Sequence, residues 1–476
     1  MKITFLEPPP AGDRTPERLA GCSYELYHFP DLANLYPFTL LHDAGHQVNY
    51  IDAVLEGLSL EELLGRVERD AADIVVIHSV ILSKRTDLEV IRKLADRDEA
   101  LRIFVHGPEA TRVPEEYLIR PNVTVFRGEI EDNLMMFLAN GEAPGTSLTR
   151  DGTVTHVPPS GDSVDLDELP VPYRMHPALA RYAGRYFNPK FRGRPHTVMM
   201  ASRGCSFRCM FCVPISVSFA RELEHRRYFD GKPKPSVASA GRVVDEFRKI
   251  HDDGFRSVMV VDDQFLWGRE RTLDICDGIR ELGMEWGCLS RADFLTEEDV
   301  VEALAGAGCT SVDIGVESLD QEVLDDIRKE LKIADVHRAI DLLRRHRIDP
   351  KVNIMFGTCP AETEESIEET VRKLKGMGLD SVMFSIATPF KGTEFHELCR
   401  RNGFLVDDSD EIDPFGKSMI SYPDLPGEAL ERQVRRAYRS FYLRPGALVK
   451  RLLRVRSAGQ LFSYVRAACR LFGGRP

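Results

Sequence analysis

Arg203-Gly204-Cys205-Ser206-Phe207-Arg208-Cys209-Met210-Phe211-Cys212 follows directly on the apolar run Val198-Met199-Met200-Ala201. The run reads as a buried strand, and the glycine-containing stretch as the loop at its carboxyl end. Three thiolates this close can converge on one metal centre. Three is one short of the set taken by a closed structural zinc site or a fully ligated iron-sulfur cluster, and a cubane held by three keeps one iron open for a substrate. The competing reading is a zinc site completed by His196 or His225.

Further short apolar runs follow this one: Ser257 to Val261, Glu285 to Leu289, Ser311 to Val316, Lys351 to Phe356 and Ser381 to Ile386, with amphipathic helical stretches such as Gly241 to Asp252 and Thr296 to Ala307 between them. Six strand-helix units predict an open or partial (β/α)6 barrel over residues 196–400, with its chemistry at the carboxyl ends of the strands. Residues 1–140 show the same alternation, through Ile3 to Leu6, Val48 to Ile51, Ile74 to Ile77, Ile103 to Val105 and Val123 to Phe126. They read as a doubly wound, Rossmann-like α/β domain whose ligands sit outside the carboxyl ends of its strands. Residues 141–195 are rich in Gly, Pro, Asp and Arg and read as a linker, with Asp151-Gly152 as a hairpin turn. Residues 401–476 form a carboxyl-terminal helical region ending in a basic tail.

The chain has 476 residues, 43% hydrophobic, enough for two or three domains with real cores. With 75 acidic and 63 basic side chains the net charge is -12, which argues against a general nucleic-acid binder. Twelve Lys or Arg and no Asp or Glu stand between Arg432 and Pro476, so a tail of +12 is attached to a body of -24. Ten cysteines are too few for a disulfide scaffold, and seven are scattered singly. No targeting segment and no membrane-spanning run is visible, so the expectation is a cytoplasmic protein.

The cysteine loop resembles the signature of the radical S-adenosylmethionine (SAM) enzymes, Cys-x3-Cys-x2-Cys with an aromatic residue, here Phe211, before the last cysteine. The resemblance implies a [4Fe-4S] cluster on Cys205, Cys209 and Cys212, with S-adenosyl-L-methionine chelating the open iron and yielding a 5'-deoxyadenosyl radical on reduction. It also implies cofactor contacts at strand ends: Asp262 and Asp263 for the methionine amino group, Arg291 for the carboxylate or ribose, and Glu317 for the ribose or substrate. Each has a plainer reading. Asp262 or Asp263 could cap a helix, and Arg291 could pair with Asp293. Ser318 reads as a helix N-cap completing a capping box with Gln321. Asn353 to Gly357 with Glu362-Thr363 resemble the family's fifth-strand motif, which packs on adenine, and Pro389 with Gly392-Thr393 its sixth-strand ending; both read as scaffold.

The doubly wound domain, Leu169-Pro170, Asp262 to Phe265, Gly315 to Ser318, Ala44 to Val48 and Gly128 to Glu131 resemble the cobalamin-binding branch of that family. That branch includes the anaerobic magnesium-protoporphyrin monomethyl ester cyclase and methyltransferases acting on unactivated carbon. The resemblance implies cobalamin and methyl transfer to a small-molecule or lipid-like substrate, with cyclisation or rearrangement as the alternative, and a flavodoxin or ferredoxin as electron donor. The chain lacks the Asp-x-His-x-x-Gly by which other cobalamin proteins supply an imidazole to cobalt. His78, at a strand end, could face the cobalt or be a hydrogen-bonded structural residue. A non-enzymatic zinc scaffold is the reading from a different class. From Leu448 the tail shows helical amphipathic spacing, which fits either docking on the acidic body or peripheral contact with an anionic membrane.

Overall fold

The computed structural model describes residues 1–445 apart from residues 11, 13, 21, 26, 162, 230 and 411. Its first sheet contains β1 (Lys2–Glu7), β2 (Gln47–Asp52), β3 (Ile74–His78), β4 (Arg102–His106), β5 (Val123–Phe126), β6 (Thr146–Arg150) and β7 (Thr153–His156). Their order is β2-β1-β3-β4-β5-β6-β7. The first five are parallel and the last two antiparallel. β3 and β5 are buried throughout, as expected for strands with helices on both faces. The order 2-1-3-4-5 is the doubly wound arrangement whose switch point, and therefore whose ligand crevice, lies at the carboxyl ends of β1 and β3.

Asp151 and Gly152 join β6 to β7 with φ of 49° and 77°, the paired positive values of a tight hairpin. The first sheet thus continues to His156, past the expected limit at residue 140. Thr146-Ser147-Leu148-Thr149-Arg150 carries too little apolar character to be read as a strand, yet β6 pairs with β5 through Thr146, Ser147 and Leu148.

All six strands of the second array are present: β8 (His196–Met199), β9 (Ser257–Val260), β10 (Glu285–Ser290), β11 (Cys309–Glu317), β12 (Asp349–Phe356) and β13 (Ser381–Ile386). β8, β9 and β10 pair in parallel in chain order, and so do β11, β12 and β13.

The chain divides into two compact units, which differ from the expected boundaries at 140, 195 and 400. One unit holds residues 1–206, 213–289 and 303–310, and the other residues 207–212, 290–302 and those from 311 on. Buried polar bonds explain why the first sheet and β8 to β10 share a unit. Arg203, wholly buried, binds Glu129 at 2.7 Å and Glu131 at 2.6 Å, both just after β5. Arg174 of the expected linker reaches Glu246 at 2.6 Å on α2 (Ala240–Asp252), while Tyr36 on α1 (Leu32–Asp43) donates to the Met200 carbonyl.

In the second unit α3 (Gln321–Asp326) follows β11. Its N-cap is Asp320, which accepts from Glu322 N at 3.0 Å, and not Ser318. Ser318 Oγ accepts from Asp320 N instead, so the helix starts later than the capping-box pattern suggested and the carboxylate takes the cap. α4 (Glu364–Gly376) lies beside α5 (Gly427–Tyr442), whose Tyr438 and Tyr442 hydroxyls accept from Phe384 N and Val382 N along the edge of β13. The first turns of the basic region are docked: Arg436 pairs with Glu368 and Arg432 approaches Glu364. The amphipathic stretch from Leu448 lies outside the described residues. Among the described residues no helix is long and apolar enough to cross a membrane.

Arg203→Met would leave two buried carboxylates without their partner. Chemical denaturation should show a loss of about 3–5 kcal/mol.

Candidate cofactor site

The first unit holds the roots of the cysteine loop. Asp263, just after β9, accepts from Gly204 N at 2.9 Å through one carboxylate oxygen and from Ile215 N at 2.7 Å through the other. One half-buried side chain therefore ties down both ends of the loop. Asp262, wholly buried, accepts from Ala201 N at 2.7 Å and Ser202 Oγ at 2.8 Å, fixing the chain just before the loop. Neither caps a helix, because the helix that follows begins at Arg269 with Gly268 at its N-cap. Gly204 sits at φ 86°, and a Cβ there would come within 2.9 Å of the Arg221 guanidinium, so the turn into the loop requires glycine. Burial pushes Asp262 up to about 7 against the pull of its two donors.

The second unit holds the rest of the loop, Phe207 to Cys212. Met210 N donates to the Ile327 carbonyl, and Met210 and Phe211 pack on Val323, Leu324, Ile327 and Cys359. Two cations lie on the loop's aromatic rings. The Arg291 guanidinium stands 3.4 Å from the Phe207 ring centroid, and the Lys329 ammonium 5.9 Å from that of Phe211. Arg291 binds Asp293 through Nε and Nη2 at 3.0 Å, and donates to the carbonyls of Lys329 at 2.7 Å and Glu330 at 2.8 Å. The plainer reading of Arg291, its pair with Asp293, is thus present, and its bonds to the Lys329 and Glu330 carbonyls hold a backbone turn. Glu317, at φ 69°, binds Lys329 Nζ at 2.8 Å. Burial works against the charge on Lys329, but Glu317 and a nearby Cys209 thiolate outweigh it and hold the ammonium above its ordinary value. Sequence reasoning missed Lys329, which stands in the charged run Arg328-Lys329-Glu330.

Glu362 accepts from the amides of Gly357 and Thr358 after β12, and Thr393 caps the helix that follows it. Both motifs act as scaffold, as read from the sequence.

Cys205, Cys209 and Cys212 are half-buried and in no disulfide. Their donor set, three soft thiolates on one short loop, fits an iron-sulfur cluster with an open position. Of the histidines offered for a zinc site, His196 has one ring nitrogen bonded and its buried Nε2 without a partner. His196 opens β8, at the strand end away from the loop, with Nδ1 bonded to Ser257, and His225 faces the Gly231 carbonyl. Among the described residues, the group of metal-binding types with ligand atoms all within 4.8 Å of one another is Glu7, Glu25 and His28. His28 already bonds Glu25 at 2.5 Å and Asp52 at 2.9 Å, and the carboxylates around it hold its imidazole far above the ordinary range, at about 11, despite burial.

At the switch point of the first sheet, His78 ends β3. Its Nδ1 donates to Asp31 at 2.8 Å, its ring stacks on His106 at 4.8 Å, and its buried Nε2 has no hydrogen-bond partner. Gly107, at φ 102°, brings the backbone so close that a Cβ would lie 2.5 Å from the His78 ring. A cavity of about 550 Å³ opens beside this edge, lined by residues that include Pro9, Pro10, Ala53, Val54, Arg85 and Thr86. The cavity lies at the carboxyl edge where such sheets bind ligands, a place compatible with a corrin, although His78 is not among the residues that line it.

Residues 199–374 match the model of the Radical SAM superfamily. The chain carries a radical SAM domain. Around that domain, 468 residues align at 28% identity with an uncharacterized methyltransferase of Pyrococcus horikoshii, covering 94% of each protein. The hopanoid C-3 methylase of Methylococcus capsulatus is 26% identical over 83% of this chain and 73% of its own length. The radical SAM methyltransferase TsrM from Kitasatospora setae, solved with cobalamin and a [4Fe-4S] cluster, superposes with a TM-score of 0.66 at 17% identity, over 91% of this chain and 84% of that one. The radical SAM chain therefore shares the two-part α/β fold of that enzyme, with a Rossmann-like sheet ahead of the radical SAM domain.

Folded Asp262 keeps its proton up to about pH 7, whereas an unfolded chain releases it near pH 4. The folded state binds the extra proton across that window, so stability falls as pH rises through it. Asp262→Asn should flatten this slope in urea unfolding midpoints measured between those values.

Proposed function

We propose that this protein is a cobalamin-dependent radical SAM enzyme that transfers a methyl group to an unactivated carbon of a small-molecule or lipid-like substrate. One juxtaposition carries the reading: a three-thiolate loop on a radical SAM domain, in the same chain as a switch-point face with a buried, partnerless His78 nitrogen. Cys205, Cys209 and Cys212 would hold the [4Fe-4S] cluster, and the carboxyl edge of β1 and β3 would receive cobalamin. When bound, the cluster and S-adenosyl-L-methionine supply one-electron carbon-sulfur cleavage and cobalamin supplies a methyl carrier.

The chain's own residues position and shield. Asp263 closes the loop at both ends, and Asp262 fixes the strand that leads into it. Arg291 holds the turn that presents Lys329, and Phe207, Met210 and Phe211 shed water from the loop's flank. Methylation is favoured over cyclisation because the relative aligned over nearly the whole of both chains is named a methyltransferase. A flavodoxin- or ferredoxin-type protein would deliver the electron. Peripheral contact with an anionic membrane through the basic tail belongs to the same proposal, and suits a lipid-like substrate.

Anaerobic expression with cobalamin supplied, followed by iron, cobalt and zinc analysis, tests this reading. We expect about four iron and one cobalt per chain, with iron lost in Cys209→Ala. Iron without cobalt would remove the methyl-transfer route, and zinc alone would overturn the enzyme reading.

A further inference from the structure

We propose that Lys329 raises the reduction potential of the cluster carried by the cysteine loop and that Glu317 opposes it. The inference rests on the reading of Cys205, Cys209 and Cys212 as cluster ligands. It goes further in assigning the tuning of that cluster to two residues outside the loop.

Lys329 is built into its place. Its neighbours Arg328 and Glu330 take positive φ, 54° and 50°, which few non-glycine residues adopt without cause. Arg291 clamps the carbonyls of Lys329 and Glu330, and Lys329 N donates to the Leu324 carbonyl. The side chain is thereby turned inward, 7% exposed, onto the Phe211 ring beside the last cysteine. Gly315 makes room, since a Cβ there would stand 2.8 Å from a Glu317 oxygen and 3.2 Å from Lys329 Nζ.

Reduction of the cluster takes one electron from a flavodoxin- or ferredoxin-type donor. The electron stays on the irons, no bond forms or breaks, and the site gains one negative charge. A fixed ammonium at a weakly hydrated flank favours the more negative state, and a carboxylate disfavours it. A purely structural ion pair would stabilise the fold and leave the potential alone. The two readings separate by sign.

The experiment compares wild-type protein, Lys329→Met, Glu317→Gln and the double variant, each reconstituted anaerobically with iron and sulfide and checked for equal iron content. Midpoint potentials come from dithionite titration followed by electron paramagnetic resonance, without S-adenosylmethionine. Lys329→Met should make reduction at least tenfold less favourable, a shift of 59 mV downward for one electron. Glu317→Gln should shift the potential upward. The double variant leaves no lone buried charge, so it is expected to fold if Lys329→Met does not, and its potential should lie below that of Glu317→Gln. Unshifted potentials, or shifts of the same sign, in proteins with full iron would overturn the role of Lys329. A wild-type protein that takes up no iron would instead overturn the cluster reading beneath it.

Discussion

Both ends of a three-cysteine loop hang on one half-buried carboxylate. Gly204 and Ile215 are eleven positions apart, yet their amides meet the two oxygens of Asp263. A loop that must offer three thiolates at fixed spacing cannot also be paid out freely from its anchors, and Asp263 removes that freedom at the end of a parallel strand. The neighbouring Asp262 does the same for the preceding residues. Adjacent acids after β9 thus share a mechanical task, holding the chain before the loop and the loop's two ends.

Much of the architecture was legible. Apolar runs flanked by turn residues gave every strand of the second array and the five parallel strands of the first, because buried parallel strands cannot hide their composition. The β6–β7 hairpin escaped because an edge of threonine, serine and arginine carries no apolar signal, although Asp151-Gly152 announced its turn. The cysteine loop was legible because three thiols close together have few uses. Lys329 was not, since Arg328-Lys329-Glu330 reads as a solvated face. Two left-handed backbone angles turn that face inward, and nothing in the local pattern foretells them.

The charge arrangement around the loop follows a division of labour. Arg291, read from the sequence as a cofactor contact or a partner of Asp293, binds that carboxylate and two backbone carbonyls. What it delivers is the placement of a second cation, Lys329, on the loop's other aromatic ring. At the far edge of the first unit the same economy recurs: Asp31 caps α1, orients His78 and accepts from Asn34, whose side chain in turn meets His106. Within this cluster His78 Nε2 is buried without a hydrogen-bond partner, and it stands at the switch point of the sheet.

The geometry at Arg291 bears on how this chain should be compared with its relatives. A planar guanidinium can face a carboxylate, two carbonyls and an aromatic ring at once, whereas a lysine ammonium is a single point with three donors and no flat face to stack. An arginine-to-lysine exchange at this position, mild by any substitution table, would release the turn and withdraw the ring contact together. Among homologues, then, the identity of this one residue reports whether the turn after α3 is held as it is here, and a lysine in its place marks a differently built flank.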